Sequence, residues 1–414
     1  MNIKIIKETK FKNVIVSVRF RSNLSENTIA GKMILSDLLS NVCAKYPDKQ
    51  AVVNRLNELY GASLSSNYVT YGNTQVVELR SKFINSSFIQ NDINLFDEVI
   101  KLLSDFIYRP LLDKDGMFNA MFVEEAKRIT LSKIARIIDE PAQYSPVATS
   151  ALIGKGQALG IQAIHQIDNI KKLTLKDLYA VYHNMIENDD IDILVVGDVD
   201  EEESKSKLQT IFNQKNISNI ANSSYSLHAT DIQDYYEENR DISQAYITMA
   251  YQTNIKNSDE SFWSLQVANA IFGQTPSSLL FREVREKHSL CYSISSSLLA
   301  YDGGMLVNVG VDPKNVNKTI DLIKEQFHRV CTGDFPDESI STIKEMLINM
   351  MTNQQDDQFG ILNFAYRNIL LNNTQKVSDI IEKIKVVQRE DIKEVFSNCK
   401  YLSTFVLTKE GAHE

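Results

Sequence analysis

The sequence predicts an α+β protein made of two similar halves, each a mainly antiparallel sheet covered by helices. Two observations indicate this fold class. The order strand, helix, strands, several helices, helix, strand occurs twice along the 414 residues. In each half the strands are grouped apart from the runs of helices, which is typical of α+β folds. A chain of this length also exceeds one ordinary core, which favours at least two domains.

The first predicted domain covers residues 1–213. It opens with the alternating segment "NVIVSVRF" (Asn13–Phe20), which predicts a half-buried strand. A helix is expected over residues 28–44, followed by a strand in "QVVELRSKF". The domain ends with the amphipathic helix "LTLKDLYAVYHN" and the closing strand "DILVVGDVD".

Residues 214–242 are expected to form an inter-domain linker. This segment is rich in Asn and Ser, then becomes acidic, and it shows little hydrophobic periodicity.

The second predicted domain, residues 243–414, repeats the order of the first. A strand is predicted in "QAYITMAY" (Gln244–Tyr251) and a helix over residues 260–272. Further strands follow in "YSISSSLL" and "MLVNVGV". The helix "VVQREDIKEVFSN" and the strand "LSTFVLTKE" then match the end of the first half. The correspondence indicates a duplicated domain, not a short repeat.

The composition excludes several classes of protein. The formal net charge of −9 argues against nucleic-acid binding. No apolar run approaches the ~20 residues that span a bilayer, and the N-terminal segment lacks the features of a signal peptide. The four cysteines are far apart and form no CxxC pair, so reduced thiols are expected. These features predict a cytoplasmic protein that binds no membrane.

The residues by themselves reveal no complete active site. None of the six histidines lies three to five residues from another, so no helix presents the His pair of an HExxH or HxxEH zinc motif. A Walker A loop, a GxGxxG segment and a GxSxG elbow are also absent from the sequence.

The element order and the segment "SSLLFREVREKHSLCYSI" resemble the pitrilysin/insulinase family of zinc peptidases, the inverzincins. The likeness is to the branch of short bacterial members and mitochondrial processing peptidase. "KYPDKQAVVNRLNELYGASLSS" and "VEEAKRITLSKIARIIDEP" also resemble family segments, so the likeness covers nearly the whole chain. The resemblance implies two α/β-roll halves of the mitochondrial processing peptidase-like metallohydrolase fold.

The same resemblance implies a degenerate zinc site. The family's HxxEH motif falls in "GKMILSDLLSN", where its ligand and base positions map near Leu35, Leu38 and Leu39. The distal zinc Glu of the family falls at "LSKI", where this chain has Ser132 and Lys133. We therefore expect no metal and no catalytic residue in this chain.

Arg285 and Tyr292 match the arginine and tyrosine with which the family holds the substrate backbone and stabilises the oxyanion. Guanidinium and phenol donors suit negative charge that develops on oxygen. The alternative interpretation is structural: Arg285 belongs to the charge ladder of "REVREK", and Tyr292 is a half-buried strand aromatic.

The resemblance implies a non-catalytic, substrate-binding subunit of a heterodimeric zinc metallopeptidase acting on peptides. A homologous partner with HxxEH would carry the zinc, and this chain would supply Arg285 and Tyr292. Two alternatives remain: an inactive structural or assembly protein, and a peptide-binding protein that acts alone. A homodimer in isolation also stays open.

Overall fold

The strands of the protein form two sheets. The computed structural model describes residues 1–90, 93–212 and 222–410. The strands within this part of the chain are β1 (Asn2–Lys7), β2 (Asn13–Asn23), β3 (Ser63–Tyr71), β4 (Thr74–Ile84), β5 (Asp190–Gly197), β6 (Tyr235–Asn239), β7 (Ala245–Gln252), β8 (Cys291–Leu299), β9 (Gly304–Val311) and β10 (Lys400–Thr408).

Helices surround both sheets. In the same described residues the α-helices are α1 (Ile29–Leu38), α2 (Lys49–Glu58), α3 (Leu95–Tyr108), α4 (Ala120–Asp139), α5 (Pro141–Ile153), α6 (Ile167–Lys172), α7 (Leu175–Asn188), α8 (Glu201–Ile211), α9 (Phe262–Asn269), α10 (Val316–Thr332), α11 (Asp337–Gln354), α12 (Gln358–Leu370), α13 (Val377–Val386) and α14 (Arg389–Ser397). Two π-helical segments, Ala270–Gln274 and Phe281–Lys287, lie between α9 and β8.

The two sheets share one topology. Their strand orders are β1-β5-β2-β4-β3 and β6-β10-β7-β9-β8. The first strand of each half pairs in parallel with the last strand, and the other pairings are antiparallel. The predicted fold class, two similar halves with mainly antiparallel sheets covered by helices, is confirmed.

The chain forms two compact units, and each unit is built from discontinuous segments. The first comprises the described residues of 1–134, 165–221 and 355–367, and the second those of 135–164, 222–354 and 368–414. Two helices are therefore exchanged between the halves of the chain: all of α5 belongs to the second unit, and most of α12 belongs to the first. The domains expected from the sequence were continuous.

In the first unit, α12 covers a polar face of the sheet. Arg19 and Glu78, both almost fully buried, form an ion pair with Nη2 and Oε1 2.9 Å apart. The guanidinium of Arg19 lies 4.0 Å from the ring centroid of Tyr366 on α12. Gln358 of the same helix donates to the carbonyl of Asn13 at 2.7 Å. Paired charges can be buried here because each has a partner.

In the second unit, α5 packs on the equivalent sheet. Ala148 forms an apolar cluster with Phe405 and Leu407 of β10. Nearer the start of the helix, the hydroxyl of Ser145 lies 2.7 Å from that of Thr248 on β7. This end of the contact is therefore polar, and it borders the groove described below.

Two local predictions differ from the structure. The helix expected over residues 28–44 ends at Leu38, because the side-chain amide of Asn41 donates to the carbonyl of Asp37 at 2.6 Å. The expected linker contains β6, which pairs with β10. Residues 214–221 of that linker lie outside the described part. Of the helices that are described, none has the length and apolarity that a bilayer crossing requires.

Candidate functional site

The positions that would hold zinc are part of the hydrophobic core of the first unit. Leu35, Leu38 and Leu39 lie on or just after α1 and are 0%, 5% and 3% exposed. Aliphatic side chains offer no electron pair to a metal ion, whereas zinc requires nitrogen, sulfur or oxygen ligands. These leucines therefore contribute to the hydrophobic core and supply no zinc ligand.

The polar residues near these leucines form an ion pair with one another. Asp37, also on α1, accepts hydrogen bonds from Thr130, at 2.8 Å, and from the ammonium of Lys133 on α4. Lys133 thereby supplies the positive charge that the Asp37 carboxylate attracts. The residues present do not fit a zinc ion. No group of three or more His, Cys, Asp or Glu side chains is gathered for metal binding anywhere in residues 1–90, 93–212 and 222–410.

Arg285 and Tyr292 lie on either side of the junction between a helical segment and a strand. The N–H of His288 donates to the carbonyl of Glu283, five positions earlier, which makes the turn wider than that of an α-helix. Ser289 then takes a positive φ of 51°, and the chain enters β8. A bulge in the pairing with β9 follows between Cys291 and Ile294. Bulges redirect side chains next to functional sites.

The structure brings Arg285 and Tyr292 together. The Arg285 guanidinium lies 4.4 Å from the ring centroid of Phe281 and 5.2 Å from that of Tyr292. Tyr292 is 85% exposed. Two aromatic faces therefore hold the guanidinium at the surface, where its N–H groups remain available to a ligand.

The charge ladder that would explain Arg285 structurally is formed by other residues. Glu283 accepts from Lys287 at 2.6 Å and lies 3.4 Å from His288. The hydrogen bond from Lys287 lowers the pKa of the Glu283 carboxyl below its usual value. Across the described residues, no carboxylate forms an ion pair with Arg285. The catalytic role of Arg285 and Tyr292 stays a prediction.

Cys291 lies between the two candidate residues but is not a nucleophile at neutral pH. Burial raises the pKa of its thiol to about 11, and the neighbouring Arg285 lowers the pKa only in part. A thiol with this pKa stays protonated, while the thiolate is the reactive form.

A groove begins at Tyr292 and runs over the adjoining sheet of the second unit. It encloses about 330 Å³ between the first turns of α5 and strands β7, β8 and β9. Its floor is a hydrogen-bonded chain in which Thr248 contacts Ser145 and donates to Oδ1 of Asn308 at 2.9 Å. The exposed Ser295 of β8 lines the outer side.

Sequence reasoning missed two contributors to this site. Phe281 precedes Arg285 by four residues, a spacing that places side chains on one helix face, so the stack was accessible from "FREVR". Asn308 gave no such signal, because its neighbours in the groove come from β7, β8 and α5.

Comparisons with known proteins point to the peptidase family that the sequence resembles. Residues 172–347 match the family model described as the peptidase M16 inactive domain. A Bacillus subtilis protein named probable inactive metalloprotease YmfF is 27% identical over 99% of this chain and 96% of its own length.

Solved structures show the same architecture. A conserved protein from Enterococcus faecalis superposes with a TM-score of 0.92 at 27% identity, covering 99% of this chain and 96% of that one. A peptidase M16 inactive domain from Pseudomonas fluorescens gives a TM-score of 0.79 at 15% identity, covering 100% and 97%.

The fold is that of a metallopeptidase-like protein, and leucines stand where the sequence resemblance places the metal ligands. The matched family model and relatives confirm the resemblance seen in the sequence. The chain is a homologue of the M16 peptidases, the pitrilysin/insulinase family, of the inactive type that lacks the HxxEH motif.

Proposed function

We propose that this chain is the non-catalytic, substrate-binding subunit of a two-chain zinc metallopeptidase that acts on peptides. A homologous partner with HxxEH carries the zinc and the general base, and Arg285 and Tyr292 complete the partner's active site. One observation carries the proposal: an accessible arginine–tyrosine pair persists in a chain whose own zinc positions are leucines.

The chemistry of the pair suits the stabilisation of negative charge on a peptide carbonyl. The Arg285 guanidinium presents several N–H donors in a fixed plane, and the Tyr292 phenol adds an O–H donor. The stack on Phe281 restrains the guanidinium before substrate arrives, so less conformational entropy is lost on binding. Preorganised donors of this kind act mainly in the transition state.

A peptide-binding protein that acts alone is the second candidate. The observation in its favour is that the groove next to Tyr292 is complete within the second unit of this chain. All four cysteines are unpaired in the structure, which supports the cytoplasm as the expected compartment in either case.

The test is reconstitution of the complex with a homologous chain that carries HxxEH. Peptide cleavage is compared for wild type, Arg285→Ala and Tyr292→Phe. Loss of one oxyanion donor is expected to lower the rate by about a hundredfold or more. Lys287→Ala is the matched control, because it removes the ladder cation two residues from Arg285.

Melting temperatures separate catalysis from folding. An exposed ladder lysine contributes only about 0.2–1 kcal/mol to stability, so Lys287→Ala should keep full cleavage. Unchanged cleavage in both Arg285→Ala and Tyr292→Phe would contradict the proposal and leave this chain a scaffold.

A further inference from the structure

Strand β8 is an edge strand without the usual protection against pairing. It is the outermost strand of its sheet, and no other strand of the described residues pairs with its outer side. Its nine residues, CYSISSSLL, include no charged residue and no proline. The opposite edge strand, β6, carries two adjacent glutamates in YYEEN. Charges and prolines are the common devices that keep an edge from accepting another strand.

The groove lies beside this edge and on one face of the same strands. Ser293 and Ser295 of β8 line it, and they are exposed, while Ile294 and Ser296 point into the unit. A strand added to β8 would place every second side chain on the face that bears Ser293 and Ser295.

The lining of the groove is uncharged. Tyrosines are the only ionisable side chains among its residues. Asn308 uses its Oδ1 on Thr248, which leaves the Nδ2 donors facing the groove, and the serine hydroxyls both donate and accept. A Lys or Glu side chain would lose hydration there without gaining an opposite charge.

The groove is also small. Its volume of about 330 Å³ lies at the lower end of the range of roughly 300–1,000 Å³ for small-ligand sites. The groove therefore has room for uncharged side chains of a bound strand.

We propose that β8 and this groove bind an extended peptide segment as an added strand, and that they select uncharged side chains at alternate positions. This inference rests on the proposed function and specifies its substrate class. Because Tyr292 lines the groove and also contacts Arg285, a peptide held here runs directly to the two donors. The groove thus sets which segment of a substrate reaches them.

The first test measures peptide binding to the full chain alone by fluorescence anisotropy. The probes are labelled eight-residue peptides that differ only at alternate positions, which hold Ser and Ala, Lys, or Glu. The Ser/Ala peptide is expected to bind at least about tenfold more tightly than either charged peptide, a difference readily resolved in Kd. Methylation of alternate amide nitrogens, which removes donors for strand pairing, should weaken binding by a similar factor.

The second test changes the groove. Ser295→Arg should abolish selection by filling the groove with a charged side chain, whereas Ser206→Arg, on an exposed face of α8, should leave binding unchanged. Asn308→Asp keeps the oxygen that accepts from Thr248 and adds a negative charge, so preference should shift toward the Lys peptide. Circular dichroism and melting curves verify that each variant is folded.

Two results would overturn the inference: equal affinity for all the peptides, or no effect of Ser295→Arg and Asn308→Asp on selection. Undetectable binding of every peptide would overturn it as well. These results are distinguishable from failure of the proposed function. If peptide selection is absent while Arg285→Ala still lowers cleavage in the reconstituted complex, the groove assignment fails and the subunit assignment stands.

Discussion

The lysine at position 133 determines what the nearby carboxylate of Asp37 can do. The two side chains form an ion pair between α4 and α1. A carboxylate that already has an ammonium partner attracts a cation weakly, since the local charge is balanced. At the place where the resemblance puts the family's distal zinc ligand, Lys133 therefore neutralises the nearby carboxylate of Asp37.

A second residue-scale effect concerns Asp302, which lies just before β9 and is 9% exposed. Burial raises the pKa of its carboxyl from 3.8 to about 6, although Tyr225 donates a hydrogen bond that acts in the opposite direction. The folded state therefore binds this proton more tightly than the unfolded state. Protonation of Asp302 therefore stabilises the folded state below pH 4, and this stabilisation is lost as the pH rises from about 4 to 6.

Asp302→Asn should remove this pH dependence. The amide cannot ionise, yet its oxygen still accepts from Tyr225. At pH 7 the variant is expected to be about 2–3 kcal/mol more stable than wild type, and the gain should vanish below pH 4. Urea denaturation across this pH range measures the difference. Asp321→Asn, at an exposed position of α10, controls for the change in net charge. A gain that is independent of pH would contradict the assignment.

At the scale of elements, α12 covers the buried charges of the first sheet. The ring of Tyr366 lies on Arg19 and packs edge-on against Tyr71, with ring centroids 5.9 Å apart. Phe359, two turns earlier, covers the guanidinium of Arg80 at 4.5 Å. The helix therefore shields the ion pair from water with aromatic rings, and Asn363 of the same helix accepts a hydrogen bond from Arg19 at 3.4 Å.

Tyr366→Ala is accordingly expected to destabilise the protein by about 3–5 kcal/mol, through a cavity and through water reaching the Arg19–Glu78 pair. Tyr366→Phe is the matched control. Within the described residues the Tyr366 hydroxyl has no hydrogen-bond partner, so its loss should change stability by less than about 0.5 kcal/mol. Chemical denaturation measures both. Equal losses in the two variants would show that the hydroxyl, not the ring, matters.

The sequence could not predict that α5 packs in the second unit and most of α12 in the first. Hydrophobic periodicity indicates which face of a helix is buried, and the repeated order indicates two similar halves. Neither pattern specifies which sheet the helix covers, because Ala148 and Phe405 are equally apolar whether their partners are near or distant in the chain. For the candidate site, the family motif was enough to select Arg285 and Tyr292 from the sequence. The groove could not be found in this way, because its residues come from three strands and a helix.

At the scale of the whole molecule, two halves with one topology differ in what they have kept. The first half has buried leucines where the resemblance places the metal ligands. The second half has an arginine–tyrosine pair, whose tyrosine is exposed, at the start of an unprotected edge strand. A fold that survives such losses must draw its stability from its own packing, because a structural metal would have made the loss of ligands equivalent to unfolding.

The full chain is therefore expected to bind no zinc and to need none for folding. After incubation with zinc and removal of free metal, elemental analysis should find far less than one zinc ion per chain. A homologous zinc peptidase that carries HxxEH, treated in the same way, is the positive control. A ligand that binds only the folded state stabilises it by mass action. At a free ligand concentration of 100 times Kd, the free energy of unfolding rises by about 2.7 kcal/mol. Neither added zinc nor a chelator should then change the melting temperature of this chain, because leucines and Lys133 stand where the resemblance places the zinc ligands, and Lys133 pairs with Asp37. Near-stoichiometric zinc that a chelator removes, with a matching fall in melting temperature, would overturn the non-catalytic assignment.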